Sequence, residues 1–158
     1  ALTKVMSRIS FDNKATELDK EIKENPEGLK FAICECDLNN LKQVNDTFGH
    51  DAGDEYIINS CKVICNFFKH SPVFRIGGDE FVAILQSDDY DALSTLKTEV
   101  INFSKTEIQK SCPLIEKRSF SAGFAVYDAK TDRSFGEVMK RADTEMYETK
   151  KMLKDLHP

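Results

Sequence analysis

A chain of 158 residues is long enough to form one domain with a substantial hydrophobic core, and 41% apolar with 31% charged residues is a normal globular composition. No apolar run approaches the ~20 residues that span a membrane, and no basic-then-apolar start marks a signal peptide. The net charge of −5 disfavours a nucleic-acid groove, which would need a basic stripe to neutralise phosphates.

The five cysteines form no recognisable disulfide framework. An odd count without a close Cys-x-x-Cys pair is typical of a reducing cytoplasm. The alternative is a zinc site, but the three histidines are not spaced as its partners. We therefore expect a cytoplasmic domain in which these residues are buried structural thiols: Cys34, Cys36, Cys61, Cys65 and Cys112.

Helical spacing marks the start of the chain. Apolar side chains share one face of a helix predicted over residues 10–23: Phe11, Ala15, Leu18 and Ile22. The sequence Pro26-Glu27-Gly28 ends this helix. Residues 31–38 then predict a mostly apolar strand, which is typical of burial on both faces of a sheet that has helices on both sides. Glu35 interrupts the apolar pattern without a reason visible in the sequence.

Two helices are predicted after this strand. Apolar residues spaced by three indicate a short helix: Leu38, Leu41 and Val44. Residues 45–53 are rich in helix breakers. A clear apolar stripe then predicts a longer helix over residues 57–68. Asp54 is placed in its first turn, where free N–H groups and the helix dipole favour a carboxylate, so plain helix capping is one explanation for this residue.

Paired glycines between two apolar runs open the second half of the chain. Gly77-Gly78 predict a hairpin, because the favoured tight turns need a positive φ that only glycine adopts cheaply, and Asp79 and Glu80 would lie at its tip. A helix over residues 89–107 follows. Residues 120–126 predict a strand with one bulky face and one small face, and the small face would let a helix approach closely. The last helix starts with the capping box Ser134-Phe135-Gly136-Glu137.

This order of elements predicts one domain over residues 1–158, an α/β (α+β) sandwich with a central, mostly antiparallel sheet flanked by helices. Such a sheet can bring Asp37, at the end of one strand, close to the turn that carries Asp79 and Glu80. Clustered carboxylates repel one another unless a cation neutralises them, and an all-oxygen set suits Mg²⁺ or Mn²⁺ rather than zinc. The alternative is an ordinary solvated hairpin with an acidic tip.

Bound Mg²⁺ of this kind usually shares its shell with substrate phosphates. Lys42 and Lys150 are candidate phosphate partners, although either lysine could simply be a solvated surface residue. Acids, a cation and phosphate-binding lysines together predict metal-assisted phosphoryl or nucleotidyl transfer. The chain has no Gly-x-x-x-x-Gly-Lys-Ser/Thr loop, so it is not a P-loop nucleotidase.

Two motifs carry a resemblance to a known family. Residues 75–81, Arg-Ile-Gly-Gly-Asp-Glu-Phe, resemble the signature of the GGDEF family of diguanylate cyclases, and residues 37–54 resemble the family's second motif almost throughout. Fainter matches are Leu2-Thr3 with Arg8, Ser121-Ala122-Gly123, and Ala142-Asp143 with Tyr147 and Lys150. The resemblance implies a palm-like fold, similar to nucleotidyl cyclases and polymerases. It also implies the condensation of two GTP molecules into cyclic di-GMP with release of two pyrophosphates.

The resemblance also implies roles for single residues. Asp37, the main-chain carbonyl of Leu38, and Asp79 match the ligands for Mg²⁺. Asp79 or Glu80 would help to deprotonate the attacking 3′-hydroxyl, whose pKa a neighbouring metal lowers. The remaining matches are to substrate-binding positions: Asn40, Leu41 and Lys42 at the phosphates, with Lys42 also stabilising transition-state charge, Asn45 and Asp54 at the guanine edge, and Lys150 at the terminal phosphates.

Three departures from the family pattern stand out. Lys154 occupies the position of a frequent arginine and keeps the charge but loses the bidentate fork. Asn39 replaces a frequent aspartate beside a ligand, and we expect little effect. The product-inhibition motif Arg-x-x-Asp is replaced at both ends, by Phe68 and Ser71, so inhibition through that site is predicted to be absent.

The resemblance further implies that catalysis needs a homodimer in which two GTP-loaded domains face each other. The chain starts at an alanine without an initiator methionine, so we expect it to be the C-terminal catalytic part of a longer signalling protein. An upstream sensory or receiver domain, with or without a membrane tether, would then drive pairing. The alternatives are a catalytically silent GTP-binding regulatory module and a scaffold without a ligand.

Overall fold

The structure is a computed structural model that describes residues 5–156, so the faint family match at Leu2-Thr3 lies outside the described residues. Four strands occur in this range: β1 (Ala32–Leu38), β2 (Val73–Arg75), β3 (Glu80–Leu85) and β4 (Phe120–Val126). Six α-helices occur there as well: α1 (Arg8–Glu24), α2 (Leu41–Phe48), α3 (His50–Phe67), α4 (Asp88–Asp91), α5 (Leu93–Gln109) and α6 (Phe135–Asp155). Within the same residues, no helix combines the length and apolar character needed to span a membrane.

The strands form one sheet in the order β2-β3-β1-β4, and every strand pairing in it is antiparallel. Apolar side chains alternate between its two faces, because successive residues of a strand point to opposite sides. One face packs against α3 and α5 around Cys34, Cys36 and Phe120. The other packs against α1 and α6 around Ile33 and Ile84. The predicted sandwich with a central antiparallel sheet and helices on both faces is confirmed.

Helix α6 lies unusually close to β4, as the small face of that strand predicts. A Cβ atom on Gly123 would lie 2.8 Å from the Cα atom of Met146, closer than real side chains come to a backbone. The absence of a side chain at Gly123 therefore lets the α6 backbone rest directly on the sheet. One turn later, α6 brings Lys150 to the end of β1.

The edge of the sheet at β2 is covered by the segment that precedes α1. The Met6 N–H donates to Val73 O at 2.8 Å, and the Arg75 N–H donates to Met6 O at 2.9 Å. Met6 thus forms a parallel bridge beside β2, next to Phe74.

The opposite edge, at β4, is covered by side chains. Groups on α5 and α6 bond to backbone atoms that face away from the sheet: Ser104 donates to Phe120 O (2.6 Å), Glu145 accepts from the Phe124 N–H (3.2 Å) and Arg141 donates to Val126 O (2.6 Å).

The breaker-rich stretch at 45–53 is a correction to the sequence interpretation. It is helical on both sides of one residue, Gly49, whose φ of 90° ends α2 and starts α3. Asp54 therefore does not lie in the first turn of its helix, since α3 already begins at His50. Packing between the two helices outweighs the weak helix propensity of Asn45 and Gly53.

The hairpin is also built differently from the expected tight turn. Its loop runs over residues 76–79, and the Ile76 N–H donates to Glu80 O at 3.0 Å to close it. Neither Gly77 nor Gly78 has a positive φ. The loop is therefore not the tight turn that the sequence pattern predicts, and its backbone does not require glycine for a positive φ at either position. The hairpin itself and the apolar strands beside it are present.

Smaller differences lie at helix ends. The first helix starts at Arg8, two residues early, because the Ser7 hydroxyl caps it by accepting from the Ser10 N–H. The predicted helix at 89–107 is split into α4 and α5.

Only one of the two hydrogen bonds of the predicted capping box at the start of α6 is formed. Ser134 accepts from the Glu137 N–H, but the Glu137 carboxylate accepts from the N–H of Arg133 rather than that of Ser134.

The five cysteines, all expected to be buried, fall into two groups: Cys34, Cys36 and Cys61 are buried, whereas Cys65 and Cys112 are half-buried.

Candidate active site

The predicted acidic cluster is assembled by the register of the two central strands. Asp37 on β1 lies directly opposite Glu80 on β3. The Leu38 N–H donates to Asp79 O at 2.9 Å, which ties the loop before β3 to the end of β1. Asp37, Leu38 and Asp79 therefore meet at one end of the sheet, as the sequence predicts.

The loop that precedes β3 is held by two arginines. The Arg75 guanidinium donates to Gly77 O at 3.2 Å and to Gly78 O at 2.8 Å. Arg8 donates to Ile76 O at 3.1 Å. Three successive carbonyl groups of the loop thus accept hydrogen bonds from arginines. The loop that precedes Asp79 and Glu80 is therefore held by one residue of β2 and one of α1.

Asp37 is the most constrained of the acidic side chains. It is 8% exposed, its Oδ2 accepts from Lys150 Nζ at 2.5 Å, and its Oδ1 is buried without a hydrogen-bond partner. The pKa of Asp37 is raised from 3.8 to about 6, because burial and the neighbouring Asp79 outweigh the opposing hydrogen bond from Lys150. A buried carboxylate oxygen without a partner, next to a second carboxylate, fits the needs of a hard cation.

The protein side chains would hold such a cation only in part. Across residues 5–156, no three His, Cys, Asp or Glu side chains are grouped so as to bind a metal by themselves. Asp37 and Asp79 supply two carboxylates, so the Leu38 carbonyl and oxygens from a bound substrate would have to complete the shell.

Glu35, which the sequence leaves unexplained, is a neutral acid behind this cluster. It is 4% exposed and lies opposite Gly123 on the side of β1 that faces α6. Burial, together with the charge of Asp143 and a hydrogen bond with it, raises the pKa of Glu35 from 4.5 to about 8. Glu35 is therefore mostly protonated at neutral pH, so its burial between strand and helix leaves no isolated charge there.

A turn rich in backbone donors follows the acids. Asn40 is the N-cap of α2 with φ 70°, and its Nδ2 is buried without a partner. The first N–H groups of α2, including those of Leu41 and Lys42, have no acceptor within the helix, and such a helix start attracts phosphate.

A cavity of about 450 Å³ lies beside this turn. Its lining consists of three amide side chains, two lysines of α6 and two apolar residues: Asn39, Asn40, Gln43, Lys150, Lys154, Ile108 and Leu153. The structure thus places Lys150 beside the predicted phosphate turn. Lys154, which stands where the family often has an arginine, lies there as well. Lys42 is exposed and does not line this cavity.

Asn39 has a role that the sequence analysis missed. Its Nδ2 donates to Ser119 Oγ at 2.7 Å, and its Oδ1 accepts from Ser121 Oγ at 2.7 Å. Its backbone carbonyl accepts from the Tyr56 hydroxyl at 2.6 Å. This buried network anchors the residue between Leu38 and Asn40, so the turn is held from β4 and α3 together. That asparagine in place of the frequent aspartate has little effect stays a prediction.

Asn45 and Asp54 lie on two adjacent helices, α2 and α3. Asn45 is half-buried and Asp54 is exposed. In the described part of the chain, neither side chain makes a hydrogen bond, so both are available to a ligand. Gly49 joins the two helices, and the Asn45 side chain lies against Gly53, the residue that precedes Asp54.

The two positions that match the product-inhibition motif are occupied by internal contacts. Phe68 is 1% exposed, and its ring centroid lies 6.1 Å from that of Phe124. The Ser71 hydroxyl donates to Asp89 Oδ2 at 2.6 Å, and the His70 N–H donates to the same oxygen.

The antiparallel sheet with acids at one end of its central strands, a donor-rich turn and helices on both faces defines a palm-like α+β domain. The chain belongs to the GGDEF domain family of diguanylate cyclases, whose family model matches residues 1–155. This confirms the resemblance seen in the two sequence motifs.

Individual relatives agree with this assignment. The probable diguanylate cyclase DgcI of Escherichia coli is 30% identical over 82% of this chain and 30% of that protein. The bifunctional diguanylate cyclase/cyclic di-GMP phosphodiesterase MucR of Pseudomonas aeruginosa is 30% identical over 94% of this chain and 21% of that protein. The chain therefore spans less than a third of the length of these relatives.

A solved structure supports the fold. The GGDEF domain of DgcB from Caulobacter crescentus, determined in complex with c-di-GMP, has a TM-score of 0.74 and 27% identity. The match covers 96% of this chain and 89% of that one.

Proposed function

We propose that the chain is the catalytic domain of a diguanylate cyclase that condenses two GTP molecules into cyclic di-GMP. The observation that carries the proposal is the pairing of Asp37 with Glu80, beside Asp79, at the end of the sheet that also holds Lys150 and the phosphate turn. Family membership supports the same reaction.

Asp37, the Leu38 carbonyl and Asp79 would hold Mg²⁺ or Mn²⁺. When bound, the cation neutralises phosphate charge and lowers the pKa of the attacking 3′-hydroxyl. A cation held by Asp37 would compete for this carboxylate with Lys150, which now donates to Oδ2 at 2.5 Å. A lysine released in this way carries its charge to the terminal phosphates, where the family pattern places it.

The chain's own groups account for the remaining steps. Asp79 or Glu80 accepts the proton of the 3′-hydroxyl as that oxygen bonds to the α-phosphorus of the other GTP and the bond to pyrophosphate breaks. A second, identical step closes the ring and releases the second pyrophosphate. The N-terminal N–H groups of α2, Asn40 and Lys42 stabilise the charge that develops on the phosphates.

Base selection falls to Asn45 and Asp54. A carboxylate accepts from the N1–H and 2-amino groups of guanine, and adenine lacks this donor pair. Each domain binds one GTP, and a homodimer brings the two substrates face to face. An upstream sensory or receiver domain of a longer cytoplasmic or membrane-tethered protein would control this pairing.

The first test is product formation by a domain fused to a parallel coiled coil, so that pairing is not limiting. We expect cyclic di-GMP from GTP with Mg²⁺ or Mn²⁺, detected by chromatography and mass, and none from Asp79→Ala. Asp88→Ala, at the start of α4, is a matched control that should keep full activity. GTP binding without product in the unmodified fusion would instead identify a catalytically silent regulatory module.

Product inhibition should be weak, because Phe68 and Ser71 replace the charged residues of the inhibitory motif and are engaged inside the domain. Adding cyclic di-GMP to the active fusion should leave the maximal rate unchanged. Strong non-competitive inhibition would contradict this expectation.

A further inference from the structure

The side chain of Asn45 occupies the space in which Gly53 would carry a Cβ atom. A Cβ built on Gly53 would lie 2.8 Å from Asn45 Cγ, and the amide oxygen Oδ1 would be closer still. Gly53 is buried and Asn45 is half-buried, so the amide rests in a notch on the surface of α3.

The joint between the two helices creates this contact. The Gly49 N–H donates to Asn45 O at 2.9 Å, and the Gly53 N–H donates to Gly49 O at 3.1 Å. A single residue therefore separates the last turn of α2 from the first turn of α3. The Asn45 side chain has to lie between the helices, and Asp54 directly follows the residue on which it rests.

We propose that Gly53 is a positioning residue for base recognition, because its missing side chain lets the Asn45 amide take the orientation that faces guanine. This rests on the proposed role of Asn45 at the guanine edge. Gly53 is not needed for its backbone freedom, since it lies within α3 and its φ is not positive. In a helix interior, alanine is the more stable choice on propensity alone.

We expect a methyl group at position 53 to leave the fold intact but to weaken guanine binding. The atoms in its way are the far end of the Asn45 side chain, which can rotate about its own bonds. Gly53→Ala should therefore push the amide out of the notch while the two helices stay packed. Gly53 therefore lowers the helix propensity of α3 but leaves room for the Asn45 amide.

The experiment measures nucleotide affinity and stability in the whole chain. The probes are 3′-deoxy-GTP and 3′-deoxy-ATP with Mg²⁺, since neither has the 3′-hydroxyl needed for condensation. The variants are Gly53→Ala, Asn45→Ala, the double variant, and Gly136→Ala in α6 as a matched control, where a Cβ meets only Ser134 Oγ at 3.7 Å.

We expect Gly53→Ala to lower affinity for the guanine nucleotide about tenfold, the usual effect of losing one or two hydrogen bonds, and to leave that for the adenine nucleotide unchanged. Its melting temperature should be equal or higher. The double variant should match Asn45→Ala alone, because the methyl group then has nothing to displace. Gly136→Ala should change neither affinity.

The remaining outcomes separate this inference from the proposed function. If Asn45→Ala weakens guanine binding and Gly53→Ala does not, the positioning role is wrong. An unfolded or strongly destabilised Gly53→Ala protein also overturns it, because the inference requires the fold to tolerate the methyl group. If Asn45→Ala itself has no effect, the guanine contact in the proposed function fails instead.

Discussion

The two ends of the candidate site are built on different principles. At the acidic end, Asp37 and Asn39 are buried at the end of a central strand and fixed by hydrogen bonds from β4, α3 and α6. At the proposed base-recognition end, Asn45 and Asp54 lie on two helices that meet at a one-residue joint, and no hydrogen bond in the described part of the chain holds their side chains. Hydrogen bonds hold the side chains of the first region in the absence of a ligand, whereas the position of the Asn45 side chain in the second depends on the space left by Gly53.

This difference suits the two tasks. Transfer of a nucleotidyl group needs acids and a cation in fixed geometry, because small displacements lower the rate strongly. Base recognition needs a few well-directed hydrogen bonds that can close around a planar ring. An asparagine lies in each region, Asn39 at the acidic end and Asn45 at the other. Substitution of each by alanine should therefore have different effects on stability and activity.

The largest effect is expected for Asn39→Ala. It removes the donor to the Ser119 hydroxyl and leaves the buried Ser121 hydroxyl without its acceptor, so the free energy of unfolding should fall by about 2–3 kcal/mol. The rate should fall about 100-fold through kcat, because the turn that carries the Leu38 carbonyl is no longer held. Chemical denaturation and steady-state kinetics of the coiled-coil fusion measure both.

Asn45→Ala is the matched comparison for that variant. Its free energy of unfolding should stay within about 0.5 kcal/mol of the original, as for surface changes generally. Its defect should appear in GTP affinity. Equal losses of stability in the two alanine variants would show that the two regions do not differ in the way the structure indicates.

A second prediction concerns stability and pH at the acidic end. The pKa of Glu35 is raised from 4.5 to about 8 in the folded chain, so the folded state binds more protons than the unfolded one between these values. Stability should therefore fall as pH rises through this range, and the raised pKa of Asp37 acts in the same direction.

Glu35→Gln should remove most of this slope and stabilise the protein by about 1–3 kcal/mol near pH 8, since the unfolded state then no longer gains free energy by ionising this side chain. Urea unfolding at several pH values from about 5 to 8 is the measurement. A slope unchanged by the substitution would mean that Glu35 is ionised in the folded protein and that its pairing with Asp143 is misassigned.

The smallest effect is expected for Lys154→Arg. Lys154 lines the cavity beside the phosphate turn, and an arginine there could bind phosphate with two parallel hydrogen bonds. We expect KM for GTP to fall about two- to fivefold with kcat unchanged, since one charge-assisted contact is strengthened. An unchanged KM would place the side chain outside the bound nucleotide's reach.

The sequence predicted the parts of the molecule that depend on neighbours in the chain. The strand that ends in Asp37, the hairpin with Asp79 and Glu80, and the small face of β4 are all local patterns, and all are present. The stretch at 45–53 was misjudged because helix breakers are weak signals beside the packing of α2 on α3.

The missed features join residues that are far apart in the chain. Asn39 bonds to Ser119 and Ser121, about 80 positions away, and Glu35 depends on Gly123 and Asp143. No pattern in a single sequence connects such residues. The notch at Gly53 is similar, because only coordinates show that Asn45 fills the space of its missing side chain.

The covering of both sheet edges limits how two copies of the chain can associate. Met6 pairs beside β2, and side chains of α5 and α6 bond to the outward backbone of β4. A strand from a second molecule would have to displace these groups before it could extend the sheet, so edge-to-edge polymerisation is blocked. In the proposed dimer, two domains would therefore meet without extending either sheet, and each would keep its own fold.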